Sequence, residues 1–160
     1  MRNKILGLLS LLLIAGVSHA GPKIEHWQTE NGARVFYVNA PGLPIVDLRI
    51  VFDAGSARDS DKPGIASLTS SLLDEGTGKL NADQVAEQFE GLGAQYGSSS
   101  LRDMTVVSLR SLSDKTILDK ALDLFSQVVA APTLPEKSFQ RNRTAMVEGL
   151  QFASKRPNEL

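Results

Sequence analysis

Residues 64–77 read GIASLTSSLLDEGT, and the prediction of the fold starts from this stretch. Apolar side chains recur at helical spacing from Ile65 to Leu73, which predicts a short amphipathic helix with one side against a core. The acidic pair Asp74-Glu75 stands directly before Gly76, so we interpret this pair as part of a solvated turn. Acid–base chemistry by the two neighbouring carboxylates is the alternative interpretation.

Strand-like segments lie on both sides of this helix. Asn31-Gly32 separates the first two segments, and Asn-Gly accepts positive φ at low cost, which is typical of a hairpin turn. The third segment alternates apolar and polar residues, as a strand with one buried face does. The predicted strands cover residues 24–28, 33–38, 45–52, 94–101 and 104–112.

Three further amphipathic helices are predicted from their N-terminal signals. Asn81 with Gln84, and Thr133 with Glu136, have the spacing of a capping box, and Asp114 precedes the third helix. The last helix runs to about residue 156 and is expected to turn inward Phe139, Met146, Val147 and Leu150. Strands, two helices, strands and two helices in this order predict an α+β domain, with helices packed on one face of a largely antiparallel sheet.

The first 20 residues have the layout of a cleaved secretory signal peptide. Arg2 and Lys4 supply the positive start, residues 5–17 are mostly apolar, and Ser18 and Ala20 are small residues before the expected cut. We therefore expect a mature chain from about residue 21, in the periplasm or another exported compartment. An uncleaved membrane anchor is the alternative, but an apolar run of about thirteen residues is short for a bilayer span.

Composition excludes several classes of function. The chain has no cysteine, which excludes disulfides, thiolate nucleophiles and Cys-ligated metal sites. Its formal net charge of −1 is unlike that of a protein that binds nucleic acid. Removal of the signal peptide leaves His26 as the single histidine, which we interpret as a strand-edge or surface residue. No Gly-x-Ser-x-Gly segment presents a serine nucleophile.

Residues 64–77 resemble the zinc-motif segment of the pitrilysin/insulinase metallopeptidases, which reads roughly G-L-A-H-F-L-E-H-M-L-F-x-G-T in active members. Residues 51–58 resemble the strand and loop before that motif, and residues 136–150 resemble the helix that carries a distal glutamate. The frame of the motif matches at Gly64, Ala66, Leu73, Gly76 and Thr77. The resemblance implies a partial metallopeptidase N-terminal domain over residues 21–160, truncated at its C-terminal side and lacking further sheet strands.

The catalytic positions of the motif depart from the family pattern. Where the resemblance places two zinc-binding histidines and a glutamate base, this chain has Ser67, Ser71 and Ser70. Serine hydroxyls are neutral and bind zinc poorly, so we expect no cofactor and no metal. The distal ligand position of the family falls on Glu148, a vestigial ligand, and an assisting glutamate position falls on Arg141. From the residues alone, without the resemblance, we interpret residues 141–143 as a solvated helix face.

The resemblance also implies a peptide-binding edge strand and a partner. The family's substrate-pairing strand corresponds to Gly97, Ser98, Ser99 and Ser100, whose backbone can still pair with an extended peptide. Some members act as pairs in which one subunit carries zinc, as in the mitochondrial processing peptidase. A silent subunit of an insulinase-like zinc peptidase is therefore the leading hypothesis. A stand-alone peptide-binding or structural module is its rival, and the single histidine disfavours a peptidase with another active site.

Overall fold

The computed structural model describes residues 21–155, so the predicted signal peptide lies outside the described residues. The chain divides into two compact units, residues 1–43 and residues 44–160. The described elements are, in chain order, β1 (Ile24–Gln28), β2 (Arg34–Val38), β3 (Ile45–Phe52), α1 (Ile65–Ser70), β4 (Gly76–Thr77), β5 (Leu80–Asn81), α2 (Ala82–Gly91), β6 (Gln95–Ser100), β7 (Thr105–Leu112), α3 (Lys115–Ala130) and α4 (Glu136–Ser154).

The first unit contains an antiparallel hairpin of β1 and β2, as the sequence predicts. Gln28 lies opposite Arg34, and the Thr29 N–H donates to the Ala33 carbonyl at 2.9 Å. Gly32 has a φ of 90°, the left-handed conformation that glycine adopts without strain. His26 lies exposed on β1 and stacks on Phe36, with ring centroids 6.4 Å apart. The interpretation of His26 as a surface residue is confirmed.

The second unit is built on an antiparallel sheet of order β3-β7-β6. Thr105, Val107, Leu109 and Ser111 alternate along β7 and are buried, because α3 packs on this face. Each such apolar side chain contributes roughly 1.5–3 kcal/mol by its burial.

The opposite face carries Arg110, which pairs with Asp47 across the β3–β7 ladder at 2.7 and 2.9 Å. The predicted α+β fold with helices packed on one face is confirmed. The core against the sheet consists of Val85, Phe89, Ala94, Ala121, Leu124, Phe125 and Val128.

The capping residues of α2 and α3 lie where the sequence predicts them. The Gln84 N–H donates to Asn81 Oδ1 at 2.9 Å, and the Asn81 N–H donates to Gln84 Oε1 at 3.0 Å, which completes the capping box. Asp114 Oδ1 accepts from the first amides of α3 at 3.0 and 3.1 Å. Each cap contributes about 1 kcal/mol to the stability of its helix.

Helix α1 is shorter than predicted: it ends at Ser70, whereas the sequence predicts an end at Leu73. The Leu72 N–H bonds to the Thr69 carbonyl at 3.1 Å, a tighter i→i−3 bond that turns the chain and buries Leu72. At the other end the Asp59 carboxylate accepts from the Gly64 and Ala66 amides at 2.7 and 2.9 Å. Asp59 therefore satisfies amides at the start of α1 that no intrahelical carbonyl reaches.

Gly76 and Thr77, which belong to the motif frame, hold the start of β4 against its neighbours. A Cβ atom on Gly76 would lie 2.6 Å from Thr133 Oγ1, so a side chain does not fit there. The Thr77 hydroxyl lies 3.0 Å from both the Gln127 and the Ala131 carbonyl oxygens at the end of α3. These two motif residues therefore serve packing and helix termination.

The predicted capping box of Thr133 and Glu136 is wrong. The Thr133 N–H donates to the Gly76 carbonyl at 2.9 Å, and Leu134 turns the chain with a φ of 45°, so α4 begins at Glu136 without a side-chain cap. The predicted burial of Val147 and Leu150 is also wrong, since these side chains are 42% and 66% exposed. The other two residues predicted to face inward, Phe139 and Met146, are half-buried.

None of the helices within residues 21–155 has the length and apolar character needed to cross a membrane. The predicted absence of a stable anchor concerns residues 1–20, which lie outside the described residues.

Candidate functional site

The candidate site is the surface where α1 faces α4 and β6. All three serines of the degenerate motif are on or next to α1: Ser67 is half-buried, Ser70 is buried, and Ser71 is exposed just past the helix. The Ser70 hydroxyl lies 2.5 Å from the Ser98 hydroxyl of β6, a hydrogen bond in which either oxygen is the donor. The Ser71 hydroxyl donates to the Leu68 carbonyl at 2.9 Å. Two of the three hydroxyls are therefore occupied by bonds within the protein.

The vestigial ligand Glu148 lies on α4, the helix that packs against α1, and is exposed. This packing places the Met146 methyl 3.7 Å from the position of a Cβ on Gly64. Zinc in hydrolytic sites is held by three protein ligands, mostly neutral imidazoles and carboxylates, and the fourth position stays open for water or substrate. Neutral hydroxyls and one exposed carboxylate do not fit that ion. Within residues 21–155, no three His, Asp or Glu side chains are grouped so as to hold a metal.

Glu75 joins the turn after α1 to α4. Its side chain is only 13% exposed, and Oε1 accepts hydrogen bonds from the Arg141 guanidinium and from Asn142 Nδ2, the latter at 3.2 Å. Asn142 Nδ2 also lies 3.1 Å from the Ser138 carbonyl. Glu75 is thus not part of a solvated turn, and residues 141 and 142 are not a purely solvated face. The prediction of a solvated turn at Glu75 and that of a solvated face at residues 141–143 are both corrected. The pairing joins residues that are far apart in sequence, so local charge pattern does not reveal it.

The two neighbouring carboxyls have opposite pKa shifts. Burial alone would raise the pKa of Glu75, but the Arg141 guanidinium, the Asn142 amide and the neighbouring Ser138 hydroxyl together outweigh it and hold that pKa below its ordinary value. Burial raises the pKa of Asp74, and the charge of Glu75 adds to the rise. Burial, and then the charge of Asp74, raises the pKa of the Tyr96 phenol. Glu75 is therefore ionised at neutral pH, and its Oε1 is bonded to Arg141 and Asn142 within the protein.

The candidate peptide-binding residues Gly97, Ser98, Ser99 and Ser100 lie on β6, at one edge of the three-stranded sheet. Ser98 and Ser100 lie opposite Val107 and Thr105, so they share the helix-facing side. A Cβ on Gly97 would lie 3.0 Å from Ser108 Oγ, so a side chain there would require that hydroxyl to move. An edge strand keeps one row of backbone N–H and C=O groups for another chain.

A family model described as Insulinase (Peptidase family M16) matches residues 34–160. The chain belongs to the insulinase family of peptidases, M16. Its fold is similar to the crystal structure of a peptidase M16 inactive domain from Pseudomonas fluorescens, with a TM-score of 0.84 and 41% identity over 86% of this chain and 33% of that chain.

Curated relatives of this M16 chain are longer than it is. The zinc protease PqqE of Helicobacter pylori is 29% identical over 155 residues, which cover 91% of this chain and 34% of the relative. The mitochondrial-processing peptidase subunit beta of Lentinula edodes is 24% identical over 147 residues, which cover 91% of this chain and 31% of the relative. The chain thus spans about a third of the length of the relatives it matches.

Proposed function

We propose that this M16 chain is an exported, catalytically silent member of its family that acts as the non-catalytic subunit of an active zinc peptidase. The observation that carries the proposal is the set of three serines at the motif positions, in a chain 41% identical to an inactive M16 domain. An intact homologue would supply zinc and the attacking water, while this chain would contribute part of the substrate chamber.

The chemistry of the motif supports catalytic silence. A serine hydroxyl does not take a proton from water at neutral pH, so Ser70 cannot replace a glutamate base. Ser70 is also buried, and its hydroxyl is bonded to Ser98. Arg141, at the position of an assisting glutamate, places a cation there and directs it to Glu75.

Two observations support a role through association. The Lentinula edodes relative is by name a subunit of a peptidase. The β6 edge offers backbone groups that pair with an extended peptide regardless of side chains. Leu101, directly after this strand, is half-exposed, so the end of the edge is apolar.

Co-expression with an intact M16 homologue from the same genome tests the proposal. The subunit hypothesis expects this chain to raise the peptidase activity of that homologue. Leu101→Glu should reduce the gain if the β6 edge borders the chamber. The matched control is Leu134→Glu, since Leu134 is a similarly exposed leucine between α3 and α4 and should leave the gain unchanged.

The second candidate is a stand-alone peptide-binding module, which the edge position of β6 favours. It predicts that the protein alone binds unstructured peptides and that the homologue is equally active without it. A monomeric protein together with unchanged homologue activity would reject the subunit proposal in favour of this candidate.

A further inference from the structure

Helix α4 has 19 residues, and Ser138 is its one buried residue among those described. Its apolar packing rests on half-buried side chains such as Phe139 and Met146, while Val147 and Leu150 are exposed. Helices in proteins are normally held by burial of an amphipathic face, because isolated helices of this length are marginal in water. Polar contacts can therefore make a large contribution to holding α4 in place.

We infer that Glu75, Arg141 and Asn142 form a clasp that holds α4 on the turn after α1. Two consecutive residues of α4 donate to one oxygen of Glu75, and the donor of Asn142 is itself oriented by the Ser138 carbonyl. A charge-assisted hydrogen bond is about twice as strong as a neutral one. The clasp therefore holds one face of α4, at residues 138–142, against the turn after α1.

Burial makes the clasp sensitive to loss of one partner. The second oxygen, Glu75 Oε2, is buried and has no hydrogen-bond partner among the described residues. Arg141, whose own side chain is 60% exposed, is thus the counter-charge for a largely desolvated carboxylate. Removal of Arg141 leaves that carboxylate buried without a counter-charge, which is more costly than replacement of both residues by apolar ones. Removal of Glu75 leaves a guanidinium that water can reach, so its cost is mainly the loss of the hydrogen bonds to α4.

The chain contains a matched control pair. Asp47 and Arg110 form a two-bond ion pair of the same chemical type, but their side chains are 55% and 56% exposed on the helix-free face of the sheet. Exposed pairs contribute about 0–1 kcal/mol to stability. Loss of this pair should leave α4 unaffected.

Hydrogen exchange of the isolated protein tests the clasp, independently of any partner peptidase. In Arg141→Ala, amides of residues 140–154 should lose about tenfold or more of their protection, and in Glu75→Ala a smaller but measurable part, while amides of β7 keep theirs. Asp47→Ala and Arg110→Ala should change neither set. The double variant Glu75→Met with Arg141→Met should recover most of the α4 protection lost in Arg141→Met alone.

Two results would overturn the inference. One is unchanged protection of α4 in both alanine variants, which would mean that α4 is held by other contacts. The other is an equal loss over α4 and β7, which would mean that the pair supports the whole unit rather than this helix. If an alanine variant does not fold, Glu75→Gln and Arg141→Lys are compared in the same way, with smaller losses expected in the same amides.

Discussion

The guanidinium of Arg141 donates a hydrogen bond to the carboxylate of Glu75, a residue 66 positions earlier in the chain. The bond connects α4, which carries Glu148, to the turn that directly follows α1 and its motif serines. In this M16 chain the two parts are joined by an ion pair between side chains of the protein.

Acidification should release part of the stability that Glu75 contributes. Its pKa is lowered in the folded protein, so the contribution is fully present above the ordinary value of 4.5 and is lost as pH falls through the folded pKa. At neutral pH, Glu75→Gln should reduce the free energy of unfolding by about 1–3 kcal/mol. The difference between the two proteins should shrink toward zero in acid, as measured by urea unfolding over a pH series.

The neighbouring carboxyl of Asp74 must be controlled in that series. Its pKa is raised by burial, so its charged form destabilises the fold as pH rises, the opposite sign to Glu75. The comparison is therefore repeated with Asp74→Asn in both proteins. A difference between the Glu75 forms that stays constant with pH would contradict the ionised pairing with Arg141.

Loss of the Ser70 hydroxyl should destabilise the protein. Ser70→Ala leaves the Ser98 hydroxyl without its bond beneath α1, which costs about 1–3 kcal/mol. Ser71→Ala is the matched control, because Ser71 is exposed and its loss should change stability by less than about 0.5 kcal/mol. Equal effects of the two substitutions in thermal unfolding would show that the Ser70–Ser98 bond does not stabilise the fold.

Local signals were sufficient to predict most elements of the fold. The alternation over residues 45–52, the Asn31-Gly32 turn and the Asn81–Gln84 box each specify their own structure, and each was found. The fold class followed from the order of these elements. Helix α4 was also found, but its predicted capping box was wrong because the Thr133 N–H donates to the Gly76 carbonyl, a tertiary contact that no local pattern reveals.

The site was only partly predictable for the same reason. The positions of Ser67, Ser70, Ser71 and Glu148 follow from the family resemblance, and the structure places them on α1, just past it and on α4. The pairings of Ser70 with Ser98 and of Glu75 with Arg141 depend on which strands and helices become neighbours. Charge alone predicted solvated residues at positions 75 and 141. In the folded chain Glu75 is largely buried and paired with Arg141.

Gly55 should tolerate no side chain. A Cβ there would lie 2.4 Å from both the Arg102 carbonyl oxygen and the Met104 nitrogen, so backbone must move to admit it. Gly55→Ala should destabilise the protein by about 1–3 kcal/mol in chemical unfolding. Gly91→Ala, at the last residue of α2 with no atom within 4 Å of the new Cβ, should be neutral or slightly stabilising. The opposite order would contradict this packing.

Export should remove residues 1–20. The basic start, the short apolar run and the small residues Ser18 and Ala20 predict cleavage directly after Ala20. Mass spectrometry of the protein recovered from cells should show an N-terminus at Gly21. An intact N-terminus at Met1, with the protein retained in the cytoplasm, would contradict export and weaken the proposed association with an exported peptidase.

Zinc content, measured together with peptide cleavage, tests catalytic silence most directly. Ser67 and Ser71 replace both imidazoles and Ser70 replaces the base, so elemental analysis after mild dialysis should find no stoichiometric zinc, and a peptide-library digest should find no cleavage. One zinc ion per chain that is lost in Glu148→Ala, accompanied by cleavage that disappears in the same variant, would contradict the account.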